Sequence, residues 1–257
     1  MSVRFHILIP ARLASTRLPR KPLALLGGRP LIVRVLERAL AADAQSVHVA
    51  TDSVEIAGAV TEAGGSVLMT GSAHRSGTDR LAEAAGRLGL GGDAIVVNLQ
   101  GDEPMMPVAC LRQVAELLHR DAQARMATLW HPLQSEEEWR NPNVVKLLSN
   151  SLGRALYFSR APIPYPRDAA FPASAARRHV GLYAYRAAAL ATWGQLPASA
   201  LEEAESLEQL RALEAGWPIA CAQACAEVPA GIDTPEDLAR VQTLIAGRAA
   251  VGHAPSV

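Results

Sequence analysis

Short apolar runs alternate with amphipathic segments along the first half of the chain. The runs have the length and composition of buried strands and cover residues 5–9, 47–51, 66–69, 94–99 and 126–130. Between them, apolar positions at helical spacing predict helices near residues 30–42, 53–63, 78–89 and 107–120. A regular alternation of strand and helix is typical of a parallel sheet that is covered on both faces. We therefore predict an α/β protein with a Rossmann-like, doubly wound, mainly parallel sheet.

The pattern changes after residue 131. Prolines at positions 162, 164, 166 and 172 mark an extended loop, because proline interrupts a helix interior. Apolar segments at 155–160 and 179–186 are strand candidates, the second with one polar face. We predict that residues 131–190 form an antiparallel insertion packed beside the main sheet.

The remaining residues, 1–130 and 191–257, are assigned to the main α/β domain. In its last part, periodic apolar positions predict a helix over 201–215. Thr234 followed by Pro235 is a helix-start signal and predicts a terminal helix.

Composition narrows the function classes. The 257 residues include 25 Lys plus Arg and 25 Asp plus Glu, so no overall charge favours nucleic acid or an anionic membrane. No apolar stretch is long enough to span a bilayer, and the apolar run after Arg4 is too short for a signal-peptide core. We expect a cytoplasmic protein. The three cysteines complete no zinc motif, and we expect reduced thiols.

A basic loop follows the first predicted strand. It carries four cations and two hydroxyls, namely Arg12, Arg17, Arg20, Lys21, Ser15 and Thr16. Guanidinium and ammonium groups bind phosphate oxygens, and open α/β sheets hold ligands at the carboxyl ends of their strands. The loop contains neither of the common glycine-rich phosphate signatures. It is therefore either a phosphate site built from side chains or a solvated connection, and its position favours the first.

Two aspartates are candidate ligands for a divalent cation. Asp102 directly follows the fourth predicted strand, at the sheet edge that also carries the basic loop, although it could instead cap a turn before Pro104. Asp233 precedes the terminal helix, where Thr234 is an equally good cap and would leave the carboxylate free. Mg²⁺ accepts one or two protein carboxylates together with phosphate oxygens and water. A magnesium site is one of the two interpretations of each aspartate.

Seven sequence blocks, in this order, resemble the 3-deoxy-manno-octulosonate cytidylyltransferases of Gram-negative lipopolysaccharide biosynthesis, also called CMP-Kdo synthetases. The blocks are PARLASTRLPRKP at 10–22, HRSGTDR at 74–80, QGDEP at 100–104, YFSR at 157–160, RHVGLYAYR at 178–186, LEQLR at 207–211 and GIDTPED at 231–237. Each block alone is weak evidence, but seven in one order are specific. The resemblance spans residues 4–245.

The resemblance implies a reaction, a cofactor and an assembly. It implies that CTP and the eight-carbon acid sugar Kdo are converted to CMP-Kdo and pyrophosphate with Mg²⁺. The sugar 2-hydroxyl would attack the α-phosphorus in line with the leaving pyrophosphate. It also implies a homodimer, a GT-A-like nucleotidyltransferase sheet, and an insertion that forms the sugar side and the dimer contact.

The resemblance assigns roles to individual residues. Arg12 and Lys21 would bind the triphosphate and act in catalysis, and Asp102 and Asp233 would ligate the metal. The remaining nucleotide-binding positions would be Pro10, Ala11, Ser15, Arg17, His74, Ser76, Thr78 and Arg80. The sugar-binding positions would be Gln100, Arg160, His179, Tyr185, Glu208 and Gln209.

Some positions depart from the family pattern, and two other functions stay open. The family usually has glycine at the position of Arg20 in the basic loop and commonly has glutamine at the position of Arg75. Around residues 171–176 this chain is shorter than some relatives. A cytidylyltransferase for 8-amino-Kdo or a sialic acid would keep the basic loop and change the sugar-facing residues. A non-catalytic nucleotide-binding regulator should lack a metal carboxylate. A glycosyltransferase would normally bring a D-x-D motif, which the chain lacks.

Overall fold

The computed structural model describes residues 3–15, 17–74, 76–168 and 171–251, and from 247 to 251 only the helical backbone. Thr16 of the basic loop and the departure at Arg75 lie outside the described residues. The strands are β1 His6–Ala11, β2 Leu25–Leu26, β3 Arg29–Pro30, β4 Ser46–Thr51, β5 Ser66–Met69, β6 Ile95–Asn98, β7 Met126–Pro132, β8 Lys146–Ser149, β9 Ala155–Ser159, β10 Arg177–Arg186 and β11 Ile219–Gln223. The helices are α1 Leu31–Leu40, α2 Val54–Glu62, α3 Gly77–Arg87, α4 Val108–Arg120, α5 Glu136–Arg140, α6 Ala187–Trp193, α7 Ala200–Glu205, α8 Gln209–Glu214 and α9 Pro235–Val251.

The main sheet runs in the order β11-β7-β10-β6-β1-β4-β5, and β8 and β9 extend it from β10. Strands β6, β1, β4 and β5 are mutually parallel, as are β11 and β7, whereas β10 is antiparallel to both of its neighbours β6 and β7. The chain builds outward from β1 to β4 and β5 and then returns to β6 on the other side of β1. Such a reversal opens a crevice at the carboxyl ends of the strands, where doubly wound proteins bind ligands.

Both faces of the sheet are buried, as the apolar runs predict. Ile7 and Ile9 of β1 lie in the core that includes α1, α2 and α4 residues, and Leu8 lies in the opposite core with residues of α3 and α6. The alternation follows from the two-residue period of a strand. Polar caps begin the helices: the Ser53 hydroxyl accepts from the Ile56 N–H, and Ser76 and Asp79 form a capping box at α3. The mainly parallel, doubly wound sheet is confirmed.

The region 131–190 differs from the prediction. Its last strand, β10, lies inside the main sheet between β6 and β7, rather than beside it. Residues Leu182 and Ala184 enter one core and Tyr183 and Tyr185 the other, so β10 has the two buried faces of a central strand. Local alternation cannot reveal this position, because strand pairing between distant segments sets it.

The predicted helix over 201–215 is also wrong in one respect. It is divided into α7 and α8 by Ser206, which adopts the left-handed conformation with φ 50°. No glycine or proline marks the break in the sequence. Strands β8 and β11 were not predicted, because runs of four and five residues are too short for periodicity to distinguish a strand from a helix.

Two further expectations can be compared with the fold. Cys110 and Cys221 are buried, Cys225 is exposed, and all three thiols are free. Within the described ranges, no helix combines the length and the apolar character needed to cross a membrane.

Candidate active site

A cavity of about 620 Å³ lies at the carboxyl ends of β1 and β6. The loop after β1, the start of α3, the loop after β6 and the segment before α9 line it. The predicted residues among its walls are Pro10, Ala11, Arg12, Ser15, Arg17, Lys21, His74, Ser76, Arg80, Gln100, Asp102 and Asp233. Thr78 is the one predicted nucleotide-binding residue outside this lining. The structure therefore brings together segments that are far apart in the sequence.

Two glycines let these segments approach closely. A Cβ atom at Gly101 would lie 3.0 Å from the Pro10 carbonyl oxygen, and one at Gly231 would lie 3.3 Å from the Asp102 carbonyl oxygen. The adjacent Ile232 N–H donates to the Asp102 carbonyl at 2.9 Å. Absence of a side chain at both glycines thus places Asp102 and Asp233 at the same edge of the cavity.

The Lys21 ammonium lies between the two aspartates. Its Nζ donates to Asp102 Oδ2 at 2.6 Å and to Asp233 Oδ1 at 3.1 Å, and Arg17 pairs with Asp233 at 3.0 Å. Burial lowers the Lys21 pKa, but the two carboxylates outweigh it and the net pKa is raised. Lys21 is therefore charged, and the carboxylates already hold one cation between them.

This carboxylate pair fits Mg²⁺. Two aspartates that share an ammonium ion can share a divalent cation, and Mg²⁺ completes its shell with phosphate oxygens and water. Glu103 lies nearby without adding a full negative charge: burial first, then the charges of Asp102 and Asp233, raise its pKa to about 8, so its neutral form predominates at neutral pH. No group of three or more His, Cys, Asp or Glu side chains in the described part of the chain is arranged to hold a metal. A metal here would depend on two carboxylates and on its other ligands.

Arg12 provides a positive charge that no residue in the described part of the chain neutralises. It is exposed and makes no ion pair with any residue that the structure describes. Its side chain also lines an adjoining cavity of about 480 Å³. A free guanidinium at this position can bind a phosphate group in a fork of two hydrogen bonds.

Hydrogen bonds fix the wall formed by His74 and Arg80. Arg80 is buried, donates to the Thr70 hydroxyl, and lies 3.3 Å from Asp52. His74 is hydrogen-bonded to Glu83. The pKa of Glu83 falls to about 2, mainly through the Gly71 backbone N–H and then through His74 and Arg87. A charged Glu83 therefore anchors the segment that enters α3.

A buried polar cluster lies next to the cavity, behind α3. Glu208 Oε2 accepts from the Thr78 hydroxyl at 2.8 Å, and burial raises the pKa of Tyr185. Burial raises the pKa of Glu208, and its charge acts on both Tyr183 and Tyr185. Four polar atoms of this cluster are buried without a hydrogen-bond partner among the described residues: Asn98 Oδ1, Tyr183 Oη, Glu208 Oε1 and Gln209 Nε2. Because buried polar groups are normally hydrogen-bonded, these atoms are suited to receive the hydroxyls of a ligand.

The sequence pattern missed Asn98 and Tyr183 in this cluster. Residues two apart in a strand share a face, and the Tyr183 and Tyr185 rings are 5.9 Å apart. The period of two was the signal that could have found Tyr183. Asn98 ends β6 and carried no separate signal.

His179 is held by aromatic neighbours. Its ring packs against Phe158 and Tyr183, and Nε2 is 3.1 Å from the Thr128 hydroxyl. Burial lowers the pKa of His179 to about 3, so the imidazole is neutral at neutral pH. It can take part in hydrogen bonding there but does not carry charge.

Arg160 lies apart from the cavity lining. Its guanidinium donates to the carbonyl oxygens of Glu205 at 2.6 Å, Pro142 at 3.0 Å and Ser206 at 3.4 Å. The structure thus places Arg160 at the end of β9 against the turn between α7 and α8. Its predicted contact with the sugar carboxylate stays a prediction.

Arg20 occupies a position whose conformation favours glycine. Its φ is 55° and ψ 32°, in the left-handed region, where a residue with a Cβ atom has a higher conformational energy than glycine. Its guanidinium pairs with Glu55 at the start of α2. This geometry explains glycine as the usual family residue and shows Arg20 directed to α2.

A basic loop and paired carboxylates in a crevice at strand ends define an α/β protein of the nucleotide-binding class. The family model for cytidylyltransferases matches residues 6–222. The 3-deoxy-manno-octulosonate cytidylyltransferase of Xanthomonas campestris pv. campestris (strain 8004) is 54% identical over 93% of this chain and 99% of its own length. That of Cellvibrio japonicus (strain Ueda107) is 48% identical over 94% of this chain and 98% of its own.

Solved structures agree. A CMP:2-keto-3-deoxy-manno-octonic acid synthetase complexed with CTP superposes with a TM-score of 0.89 at 43% identity, over 95% of this chain and 99% of that chain. A 4-diphosphocytidyl-2C-methyl-D-erythritol synthase, 13% identical with a TM-score of 0.62, shares the fold. The chain belongs to the cytidylyltransferases, in the 3-deoxy-manno-octulosonate cytidylyltransferase family. The resemblance read from the seven sequence blocks is confirmed.

Proposed function

We propose that the protein transfers CMP from CTP to Kdo and releases pyrophosphate. The observation that carries this proposal is the meeting of the basic loop with Asp102 and Asp233 in one cavity at the strand ends. The family supplies the identity of both substrates, and the cavity supplies positive charge for a triphosphate. The buried polar cluster beside it supplies hydrogen-bonding groups for a sugar.

Different residues of the cavity have different roles in the proposed transfer reaction. As the sugar 2-hydroxyl bonds to the α-phosphorus, the bond to the pyrophosphate oxygen breaks, and negative charge grows on the phosphate oxygens. Arg12 and Lys21 oppose that charge from fixed positions, a form of stabilisation commonly worth a few kcal/mol per group. Mg²⁺, bound by Asp102 and Asp233, would add positive charge at the phosphates and favour ionisation of the attacking hydroxyl. No side chain is required as general base.

The sugar side is assigned to the buried polar cluster. Gln100 lines the cavity. The other residues of the set lie outside its lining, in or beside the buried polar cluster: Glu208, Gln209, Tyr185 and His179. We add Tyr183 and Asn98 to this set, because each has a buried polar atom without a partner in the described structure. Neutral His179 and the tyrosine hydroxyls can form hydrogen bonds with sugar hydroxyls. The Arg160 guanidinium can bind the acid group once it is released from the backbone carbonyls that it contacts.

Two further properties belong to the proposal. We place the protein in the cytoplasm, where CTP is available. We also propose a homodimer formed through residues 131–190, the segment that carries the exposed Leu156 and Tyr165. Sedimentation at several concentrations would measure the assembly directly.

A pyrophosphate-release assay tests the function. CTP, UTP, ATP and GTP are each combined with Kdo, 8-amino-Kdo and a sialic acid, with Mg²⁺ or with a chelator. We expect turnover with CTP, Kdo and Mg²⁺ together. Faster turnover with 8-amino-Kdo or a sialic acid would show that this acid, and not Kdo, is the substrate. CTP binding without turnover on any acid sugar would support a regulator instead.

A further inference from the structure

Glu205, the last residue of α7, binds the end of β9 with both carboxylate oxygens. Oε1 accepts from the Ser159 hydroxyl at 2.5 Å, and Oε2 accepts from the Arg160 backbone N–H at 2.8 Å. Ser159 is 2% exposed, so the first bond is shielded from water. Charge-assisted hydrogen bonds are strongest under such shielding. The carboxylate therefore fixes the end of β9 relative to α7.

The Arg160 side chain in turn binds the end of α7. Its guanidinium donates to the carbonyl oxygens of Glu205 and Ser206, which end α7 and have no helical partner of their own. Ser206 then turns the chain through its left-handed conformation. The side chain of each partner thus holds the backbone of the other.

The turn that is held in this way leads directly to the sugar side. Glu208 and Gln209 follow Ser206, and their Oε1 and Nε2 atoms are among the buried polar atoms left without a described partner. Lys146 is fully buried and its ammonium donates to the Asn141 and Val144 carbonyls; burial lowers the Lys146 pKa, and the charge of Glu205 partly offsets that lowering. Loss of the Glu205 carboxylate would remove both hydrogen bonds to the end of β9 and the negative charge that acts on Lys146.

We propose that Glu205 is a positioning residue for binding of the acid sugar. It joins β9 to the turn between α7 and α8 and so sets where Glu208 and Gln209 stand. The identity of the sugar rests on the proposed function, whereas the joining of the two segments rests on the contacts alone. Glu205 itself lines no part of the cavity that the structure describes.

Kinetics of three variants test the proposal. Glu205→Ala removes both hydrogen bonds, Glu205→Gln keeps an acceptor for one of them, and Glu203→Gln is a matched control on the exposed face of α7. We expect Glu205→Ala to raise the KM for Kdo about tenfold or more, with kcat and the KM for CTP within about twofold. Glu205→Gln should lie between it and the wild type. An unchanged KM for Kdo, or equal rises in both KM values, would overturn the proposal.

Amide hydrogen exchange without substrate tests the coupling role of Glu205 independently of the identity of the sugar substrate. Glu205→Ala and, more weakly, Glu205→Gln should speed exchange in both segments, 159–161 and 206–209, and Glu203→Gln in neither. Exchange that changes in only one segment, or in none, contradicts the coupling even if Kdo is turned over normally. If the wild type does not use Kdo, the proposed function fails, while paired changes in exchange would still support the role of Glu205.

Discussion

Lys21 bridges two carboxylates that a divalent cation would also need. Its ammonium is only 2.6 Å from Asp102, and its own side chain is 17% exposed. In the proposed reaction, a divalent cation held by Asp102 and Asp233 would leave the Lys21 ammonium available to a phosphate. These three residues would then account for charge balance in the site without nucleotide and for positive charge in the site with it.

Removal of either carboxylate should abolish the metal-dependent reaction. We expect Asp102→Ala and Asp233→Ala each to reduce Mg²⁺-dependent pyrophosphate release at least about 100-fold, since each removes a metal ligand. Both side chains are partly exposed, at 30% and 44%, so the variants should fold. Asp93→Ala, an exposed aspartate outside the cavity, is the control. Near-wild-type turnover in either variant, with circular dichroism unchanged, would remove that residue from the metal site.

Variants of Arg20 can separate the effect of its left-handed backbone on stability from the effect of its ion pair with Glu55. Arg20→Gly relieves the left-handed strain, whereas Arg20→Ala keeps it, and both lose the contact with Glu55. We expect the glycine variant to melt about 2–4 °C above the alanine variant in thermal denaturation. Glu55→Gln, which weakens the pair without altering the backbone, gives the effect of the pair alone. Equal melting temperatures for the two Arg20 variants would show that the strain is absent.

At the scale of elements, the cavity depends on how closely three loops approach each other. Apolar runs and caps predicted β1, β6, α2 and α3 to within a few residues, because these signals are local. They could not predict the break at Ser206, since an ordinary residue there takes a conformation that glycine usually marks. They also could not show that the Arg160 guanidinium binds backbone carbonyls, which depends on where α7 ends.

A methyl group at Gly101 should push these loops apart. Its Cβ would meet the Pro10 carbonyl oxygen at 3.0 Å, and a backbone atom cannot move away as a flexible side chain can. We expect Gly101→Ala to raise the KM for CTP about tenfold, because Pro10 and Ala11 line the nucleotide side of the cavity. Gly91→Ala, where an added Cβ meets nothing within 4 Å, should leave the KM unchanged. Equal KM values in the two variants would mean that the approach at Gly101 is not needed.

At the scale of the whole molecule, β10 joins the cavity to the buried polar cluster, which we propose as the nucleotide and sugar sides. It pairs with β6, whose end leads to Asp102, and its own tyrosines face the buried polar cluster. The sequence indicated the doubly wound half from its regular alternation. It could not place an antiparallel strand at the centre of that sheet, because the pairing of β10 with β6 and β7 joins segments far apart in the chain. The polar cluster was only partly predictable for the same reason.

The buried cluster should also make stability depend on pH. His179 has a pKa of about 3 in the folded protein, against an ordinary value of 6.5. Between these values the unfolded chain binds a proton that the folded protein does not, so the free energy of unfolding falls as pH decreases from about 6.5. Other groups titrate in this range, Glu103 with the opposite sign among them. The informative quantity is therefore the difference between wild type and His179→Asn, which can keep the hydrogen bond to Thr128 but cannot titrate.

Urea unfolding of both proteins from pH 7 to pH 4 measures that difference. As pH falls below 6.5, wild type should lose stability relative to His179→Asn by up to about 1.4 kcal/mol per pH unit. Above pH 7 the offset between the two proteins should be constant, because both residues are then uncharged in the folded and unfolded states. An offset that is constant down to pH 4 would mean that the folded protein accommodates a charged His179. The imidazole would then be free to meet the acid group of the sugar as a cation, rather than its hydroxyls as a neutral partner.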